Sequence, residues 1–434
     1  MKKSAKICVT KYLRYLRAKP QTYNPMKKTT IQHLFSIPVI VAALGYFVDI
    51  YDLLLFGIVR VPSLKEMRLN DEQVSEIGKN IFNWQMGGLI LGGILWGVLG
   101  DKKGRLSVLF GSIITYSLAN IACGFVKDPT TYALLRFVAG VGLAGELGAG
   151  ITLVSEVLPK ELRALGSSLV AGIGLFGAVF AYFTVKEFGG WRNAYFVGGG
   201  LGIALLLLRI SVFESGMFEQ LKQQKHIQKG NFFALFTNKD RLSRYLKCIA
   251  IGIPTWFVIG ILATFANEFG KAMGIIEIIE PGKAIMFCYV GLALGDLSSG
   301  VISQALKSRK KAVAILLVLS LICSIFYLYA GIQTAFALYA TCVCAGFSVG
   351  YWAMFVTIGA EQFGTNLRAT AATTIPNMVR GTVILMTSLF AYLKPTMSIF
   401  NAAAVVGIIG FVLAFYAIFT IPETHGKDLD YLEE

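Results

Sequence analysis

Histidine is nearly missing from this chain. The three present, His33, His226 and His425, all fall outside the apolar runs, so imidazole metal clusters and Ser-His or Cys-His catalytic arrangements lack their parts there. That weighs against an intramembrane enzyme, and no metal site is expected. No Gly-x4-Gly-Lys-Ser/Thr run occurs, so ATP hydrolysis on this chain is not an expected energy source. Six of the seven cysteines (Cys123, Cys248, Cys288, Cys323, Cys342, Cys344) sit in apolar stretches without a pairing framework and read as reduced small hydrophobes. Charge is scarce as well. With 15% charged residues, 55% hydrophobic residues and a mean hydropathy of +0.65, there is too little polar surface to cover a water-soluble globule of 434 residues. Lipid is the solvent expected for most of the chain.

Runs long enough to cross about 30 Å of hydrocarbon, at about 1.5 Å per helical residue, lie at 36–59, 80–100, 106–126, 131–155, 164–185, 193–213, 248–267, 284–306, 312–331, 332–359, 369–393 and 396–420. The expected fold class is all-α integral membrane, with twelve transmembrane helices. If the N-terminus is cytoplasmic, cytoplasmic segments hold 27 Lys and Arg and external ones 10, the bias of the positive-inside rule. The net charge of +15 thus reports topology, and no nucleic-acid partner is expected. The organisation read from this is a basic tail (1–35), a six-helix bundle (36–213), a cytoplasmic connection (214–247), a second six-helix bundle (248–420) and a tail (421–434), with both termini cytoplasmic. The first apolar segment carries Asp49 and Asp52 and lacks a small-residue cleavage site, which fits a retained helix rather than a signal peptide. Met26-Lys27-Lys28 looks like a natural start, so residues 1–25 are either foreign to the native protein or a solvated basic tail.

An internal repeat supports the two bundles. Residues 88–98, GLILGGILWGV, recur as 291–301, GLALGDLSSGV, identical at six of eleven positions with an offset of 203. Glu156 and Arg163, ending span 4, recur as Glu361 and Arg368, ending span 10, with an offset of 205. Duplicated halves place a substrate between them near the midplane.

Gly100-Asp101-Lys102-Lys103-Gly104-Arg105, between spans 2 and 3, resembles the signature loop of the major facilitator superfamily. Three other places are similar to its sugar-porter and metabolite:proton-symporter branches. They are Asp49-Ile50-Tyr51-Asp52, Arg136 through Gly145-Glu146, and Pro422-Glu423-Thr424-His425-Gly426. The resemblance implies two pseudo-symmetric six-helix bundles in the inner (plasma) membrane, and a cytoplasmic gate drawn from Asp101, Arg105, Glu156, Arg163, Glu361 and Arg368. Asp101 is expected at the N-terminus of span 11, where the helix dipole is positive, and Arg105 beside Glu156. The second-half copy departs from the pattern, with Gln304 in place of Asp101 and Lys307-Ser308-Arg309-Lys310-Lys311 in place of the Gly-Arg ending. The first-half loop is therefore expected to be the better formed.

Ionisable residues deep in a span cost about 3 kcal/mol or more and are functional candidates by default. Asp49 and Asp52 are three apart on one helical face, and Arg136 matches Asp52 in depth, so the two can form either a clamp or a coupling pair. Asp49, Asp296 and Arg380 fall near mid-bilayer. Arg380 offers a forked donor set for a carboxylate or phosphate, unless Asp296 or Asp49 neutralises it internally. Glu146, in a glycine-rich helix, can take a proton, and Arg209 is expected to snorkel to the headgroups. Proton coupling is thus expected of Asp49, Asp52, Glu146 and Asp296. Substrate binding is expected of Arg380 and Arg136 with Asn83, Trp84, Gln85, Trp256, Tyr351, Trp352 and Asn377. The function read from these is proton-driven symport of a small polar metabolite, a carboxylate or amino-acid-like solute, by a monomer that needs no cofactor beyond the proton gradient. Neutral sugar:proton symport, drug or metabolite efflux, and a non-transporting membrane receptor are the alternatives.

Overall fold

The computed structural model describes residues 36–103, 105–146, 158, 163–214, 232–425 and 433. A first set of helices comprises α1 (Ile37–Glu66), α2 (Asp71–Lys103), α3 (Arg105–Cys123), α4 (Pro129–Leu143), α5 (Arg163–Glu187) and α6 (Trp191–Glu214). A second set comprises α7 (Lys239–Ala263), α8 (Pro281–Leu306), α9 (Arg309–Tyr329), α10 (Ala335–Glu361), α11 (Thr365–Leu393) and α12 (Ile399–Thr420). Among the described residues there is no strand, and nine of these helices are long and apolar enough to cross a membrane. The other three are α3, with a shorter apolar stretch at Val108–Cys123; α4, with 15 residues; and α11, with 29 residues but rich in Thr.

The two sets pack alike. In the first, α1 lies on α5 and α6, α2 on α4, and α3 on α4 and α6; in the second, α7 lies on α11 and α12, α8 on α10, and α9 on α10 and α12. The sets meet through α2 with α11 and α5 with α8, contacts that exchange when the sets are exchanged. The repeat noted in the sequence lies in the α2–α4 and α8–α10 contacts. A Cβ on Gly88 or Gly92 of α2 would overlap the carbonyl oxygens of Phe137 and Val141, and one on Gly291 or Gly295 of α8 those of Val343 and Phe347. Small residues are required because lipid gives no hydrophobic drive between helices, so close backbone approach must supply the attraction.

Regular helix is interrupted beside the interface between the sets. Pro254 removes a donor from α7, which continues as a π-helix over Val258–Ala263. In α10, Ala335–Ser348 stops and Trp352–Glu361 resumes after a break at 349–351. Helix α4 breaks at the corresponding place, after Leu143. Such backbone survives at membrane depth only where protein supplies its hydrogen bonds. Here Asn377 Nδ2 donates to the Ala144 carbonyl (2.9 Å), and Asp296 Oδ1 accepts the Ala353 N–H (2.9 Å).

Several expected boundaries shift. Helix α1 runs on to Glu66, so Arg60, expected in an external connection, lies inside the helix and is 1% exposed. Helix α2 begins at Asp71, and α7 at Lys239, within the expected 214–247 connection. In each case polar residues at the helix end lowered the apolarity from which the span was read. The 1–35 tail lies outside the described residues.

Candidate substrate and proton site

Between the sets lies a narrow cavity, with Tyr46 and Ile50 of α1 on one wall and Trp256, Tyr289, Trp352 and Arg380 on the other. Asp49 and Arg380 face each other here across the interface, Oδ2 to Nη2 at 3.6 Å, with side chains 0% and 1% exposed. The pair is not saturated. Neither Asp49 oxygen makes a hydrogen bond, Arg380 Nε has no partner, and Arg380 Nη1 donates to Asn377 Oδ1 at 3.3 Å. Trp352 lies under the guanidinium, 6.0 Å from its carbon to the ring centroid, and Trp256 stands edge-on to Trp352 with centroids 6.5 Å apart. Trp256 Nε1 and Tyr46 Oη also make no hydrogen bond. An unsaturated ion pair, two indoles and donors without hydrogen bonds therefore meet at this cavity.

Other expected members are placed elsewhere. Arg136 is buried within the first set, donating to Gln85 Oε1 (3.3 Å), Asn120 Oδ1 (2.8 Å) and the main-chain oxygen of Asp52 (2.9 Å). It therefore meets the carbonyl of Asp52 rather than the carboxylate, and the expected Asp52–Arg136 side-chain ion pair is not formed. The Asp52 carboxyl turns to α6, where a Cβ on Gly198 would lie 2.5 Å from Oδ1. Asp49 and Asp52 thus point to different sets, because three residues of helix leave about 60° between them. Gln85 also donates to Leu53 O (2.8 Å), so Arg136, Gln85 and Asn120 clamp four helices of one set together. Trp84 is 49% exposed on the outer surface, edge-on to Phe137, and does not line the cavity. Asn83 and Asn377 lie in the α2–α11 seam, where Thr387 Oγ1 donates to Asn83 Oδ1 (2.7 Å). Tyr351 is buried and donates to Ile251 O (3.0 Å), bracing the α10 break against α7. Asp296 caps the resumed half of α10, where a carboxylate meets the positive helix end.

Glu146 is tied by Arg209, Nη1 to Oε2 at 3.0 Å with a second bond from Nη2 to Oε1. Arg209 is 2% exposed and does not snorkel, since a carboxylate at its own depth is a better partner than distant headgroups. Tyr46, Tyr289 and Arg60 were not singled out in the sequence. Tyr46 lies one turn from Asp49, a spacing that could have flagged it.

On the face that carries the α2–α3 connection, Arg309 Nη2 pairs with Glu361 Oε1 (2.7 Å), and Arg368 Nε donates to Phe363 O (3.3 Å). Glu423 accepts from Ser308 Oγ, Arg309 N (3.2 Å) and Lys310 N (3.3 Å), capping α9. Lys307 takes φ +47° at the end of α8, filling a left-handed turn without a glycine. The second-half copy thus forms a connected network despite its divergent sequence. Its first-half counterpart cannot be set beside it: Glu156 lies outside the described residues, as do the side chains of Asp101, Arg105 and Arg163.

On the opposite face, Arg60 of α1 donates to Thr264 O (3.0 Å) and Asn267 Oδ1 (3.2 Å) and lies 3.7 Å from Glu268 Oε1. Ser75 of α2 donates to the same oxygen (2.8 Å), and Lys271 reaches Asp71 (2.6 Å). These contacts join the two sets and close that face of the cavity.

Two repeated helix bundles enclosing a charged, aromatic-walled cavity make a membrane transporter by architecture. The chain belongs to the Major Facilitator Superfamily, whose family model matches residues 42–381. It is similar to a Haemophilus influenzae protein named for metabolite transport, with 27% identity over 404 residues, 90% of this chain and 96% of that protein. It resembles the gentisate transporter of Corynebacterium glutamicum at 25% identity over 350 residues, 74% of this chain and 73% of that one. It resembles the niacin transporter of Acinetobacter baylyi at 26% over 364 residues, 76% and 81% of the two chains. Among solved structures, a proton:xylose symporter shares the fold, with a TM-score of 0.67 and 16% identity over 92% of this chain and 98% of that one. The family and these relatives are transporters rather than enzymes.

Proposed function

We propose that the protein is a proton-coupled symporter that imports a small carboxylate-bearing metabolite across the inner membrane by alternating access, working as a monomer on the proton gradient. The observation that carries this reading is the buried Asp49–Arg380 pair spanning the two bundles at the cavity wall. The pair is neutral. A substrate carboxylate that engages the guanidinium leaves one cation facing two anions in a low-dielectric site, an imbalance costing several kcal/mol. A proton on Asp49 removes it, so proton and carboxylate load together. Asp49 is paired to Arg380, which lines the cavity, whereas Asp296 caps a helix, Glu146 is held by Arg209 and Asp52 faces α6. Gentisate and niacin, named for two relatives, are aromatic carboxylates, and the indoles of Trp256 and Trp352 suit a planar ring. The basic bias of the connections supports an orientation with the α2–α3 face in the cytoplasm and the Arg60–Glu268 face outside.

The test uses reconstituted protein with labelled nicotinate and gentisate. Arg380→Lys keeps the charge without the fork, so affinity should fall about tenfold while anion preference persists, and Arg380→Gln should not bind either acid. Asp49→Asn should exchange the acid across the membrane yet fail to accumulate it under a pH gradient. Wild-type binding by the Arg380→Gln variant, or wild-type gradient-driven accumulation by Asp49→Asn, would overturn the assignment of that residue.

A further inference from the structure

We propose that Arg60 is an anion-docking subsite at the mouth of the cavity, covered by Glu268 while the α1–α2 face is closed and offered to the substrate carboxylate when it opens. Eleven residues separate Asp49 from Arg60, about three helical turns, or about 16 Å along α1 with only about 20° of rotation between them. One stripe of α1 therefore carries both residues toward the second set, where each meets an opposite charge, Asp49 at Arg380 and Arg60 at Glu268. The lower pair is the proposed binding site; the upper one lies on the path to it.

The surroundings of Arg60 are built for a buried guanidinium. The Phe265 ring lies 4.5 Å from its central carbon, and Gly78 of α2 leaves room for the stem, since a Cβ there would be 2.8 Å from Arg60 Cδ. Although the side chain is 1% exposed, Nε makes no hydrogen bond and Nη1 has only the 3.7 Å approach of Glu268. Its partners Thr264, Asn267 and Glu268 all belong to the second set. Separating the sets on this face strips Arg60 of all three at once and leaves a cation without a protein counter-charge facing the opened cavity. Glu268 retains Lys394 of its own set, so the carboxylate has a counter-charge after it departs while Arg60 does not. A fork that holds a carboxylate in the closed state and faces a water-filled mouth in the open one matches an incoming carboxylate. Lys271 and Lys65, both on Asp71, are exposed and already paired.

The proposal rests on the reading of the substrate as an anion, but its test needs no substrate and leaves Arg380 untouched, so the two can fail separately. Asn267→Cys places a thiol beside Arg60, and Glu268→Gln removes the covering charge. The protein is labelled in liposomes with the anionic methanethiosulfonate ethylsulfonate and the cationic ethyltrimethylammonium reagent, after subtraction of the labelling seen without the Asn267→Cys substitution. The anionic reagent should react faster, and the ratio of the two rates should fall about tenfold on adding Arg60→Gln while surviving Arg60→Lys. A ratio unmoved by Arg60→Gln would overturn the subsite. A second measurement keeps Arg60 intact: benzoate, against chloride at equal ionic strength, should slow anionic labelling several-fold, and equal rates in the two salts would also count against it.

Discussion

Glu146 and Arg209 form a fully buried ion pair whose value depends on both partners being present. Their heads pack directly under Gly45 of α1, where a Cβ would collide with both. Removing one partner of such a pair leaves an uncompensated buried charge, so Arg209→Gln should destabilise the protein by about 3–5 kcal/mol, read as a large drop in the detergent unfolding midpoint. The double variant Arg209→Gln with Glu146→Gln should recover most of that loss and still accumulate substrate under a pH gradient. Loss of accumulation in the well-folded double variant would return Glu146 to the proton path. At this scale the sequence was legible in depth but not in direction. Counting residues along a helix put Asp49 and Arg380 at one level correctly, because rise per residue is nearly fixed. It also put Arg136 and Asp52 at matching depth, yet Arg136 donates to the main-chain carbonyl of Asp52, and Arg209 meets Glu146 rather than the headgroups. Azimuth and partner choice depend on how helices rotate against each other, which no single run of residues encodes.

Among the elements, the start of α9 shows how one side chain fixes a junction. Burial raises the pKa of Glu423, but hydrogen bonds from Ser308 Oγ and from the main-chain N–H groups of His425, Thr424 and Lys310 outweigh it and hold the carboxyl down at about 2. A carboxyl whose folded pKa lies below its unfolded value adds stability that is fully present above about pH 4.5 and disappears as pH falls toward 2. Glu423→Gln should therefore lower the unfolding midpoint at pH 7, and the gap from wild type should narrow as pH drops from about 4.5 toward 2. A gap independent of pH over that window would show that Glu423 acts through shape rather than charge. The Pro-Glu-Thr-x-Gly run was visible in the sequence, but only as a resemblance. What it does, capping a helix more than 110 residues earlier in the chain, lay in the fold. The interruptions of α7 and α10 were equally hidden, since Pro254 announces a lost donor but not the π-helix that follows it.

For the whole molecule, much was written openly: of the twelve apolar runs, nine are helices long and apolar enough to cross a membrane among the described residues, and the repeated glycine face packs as a pair of close seams, because a lipid solvent dictates helix length and leaves small residues to bring helices together. The orientation proposed from the basic bias can be checked directly. A cysteine replacing Lys307 should be modified only from the cytoplasmic side, and one replacing Gly274 only from outside; the reverse pattern would invert the protein and place the closed face within the cell. The meeting of the two bundles, by contrast, was not legible, since it depends on Asn377. That amide gives its oxygen to Arg380 and its nitrogen to the carbonyl left open by the break in α4 of the other bundle. Any ligand that draws the guanidinium toward itself also pulls on this stitch. With the anion proposed above in the cavity, occupancy would reach the seam as tension on this one amide, a pull that the empty carrier lacks. Under the proposed proton coupling, a transporter wired in this way would seldom cycle without cargo, and protons would not drain through it unaccompanied.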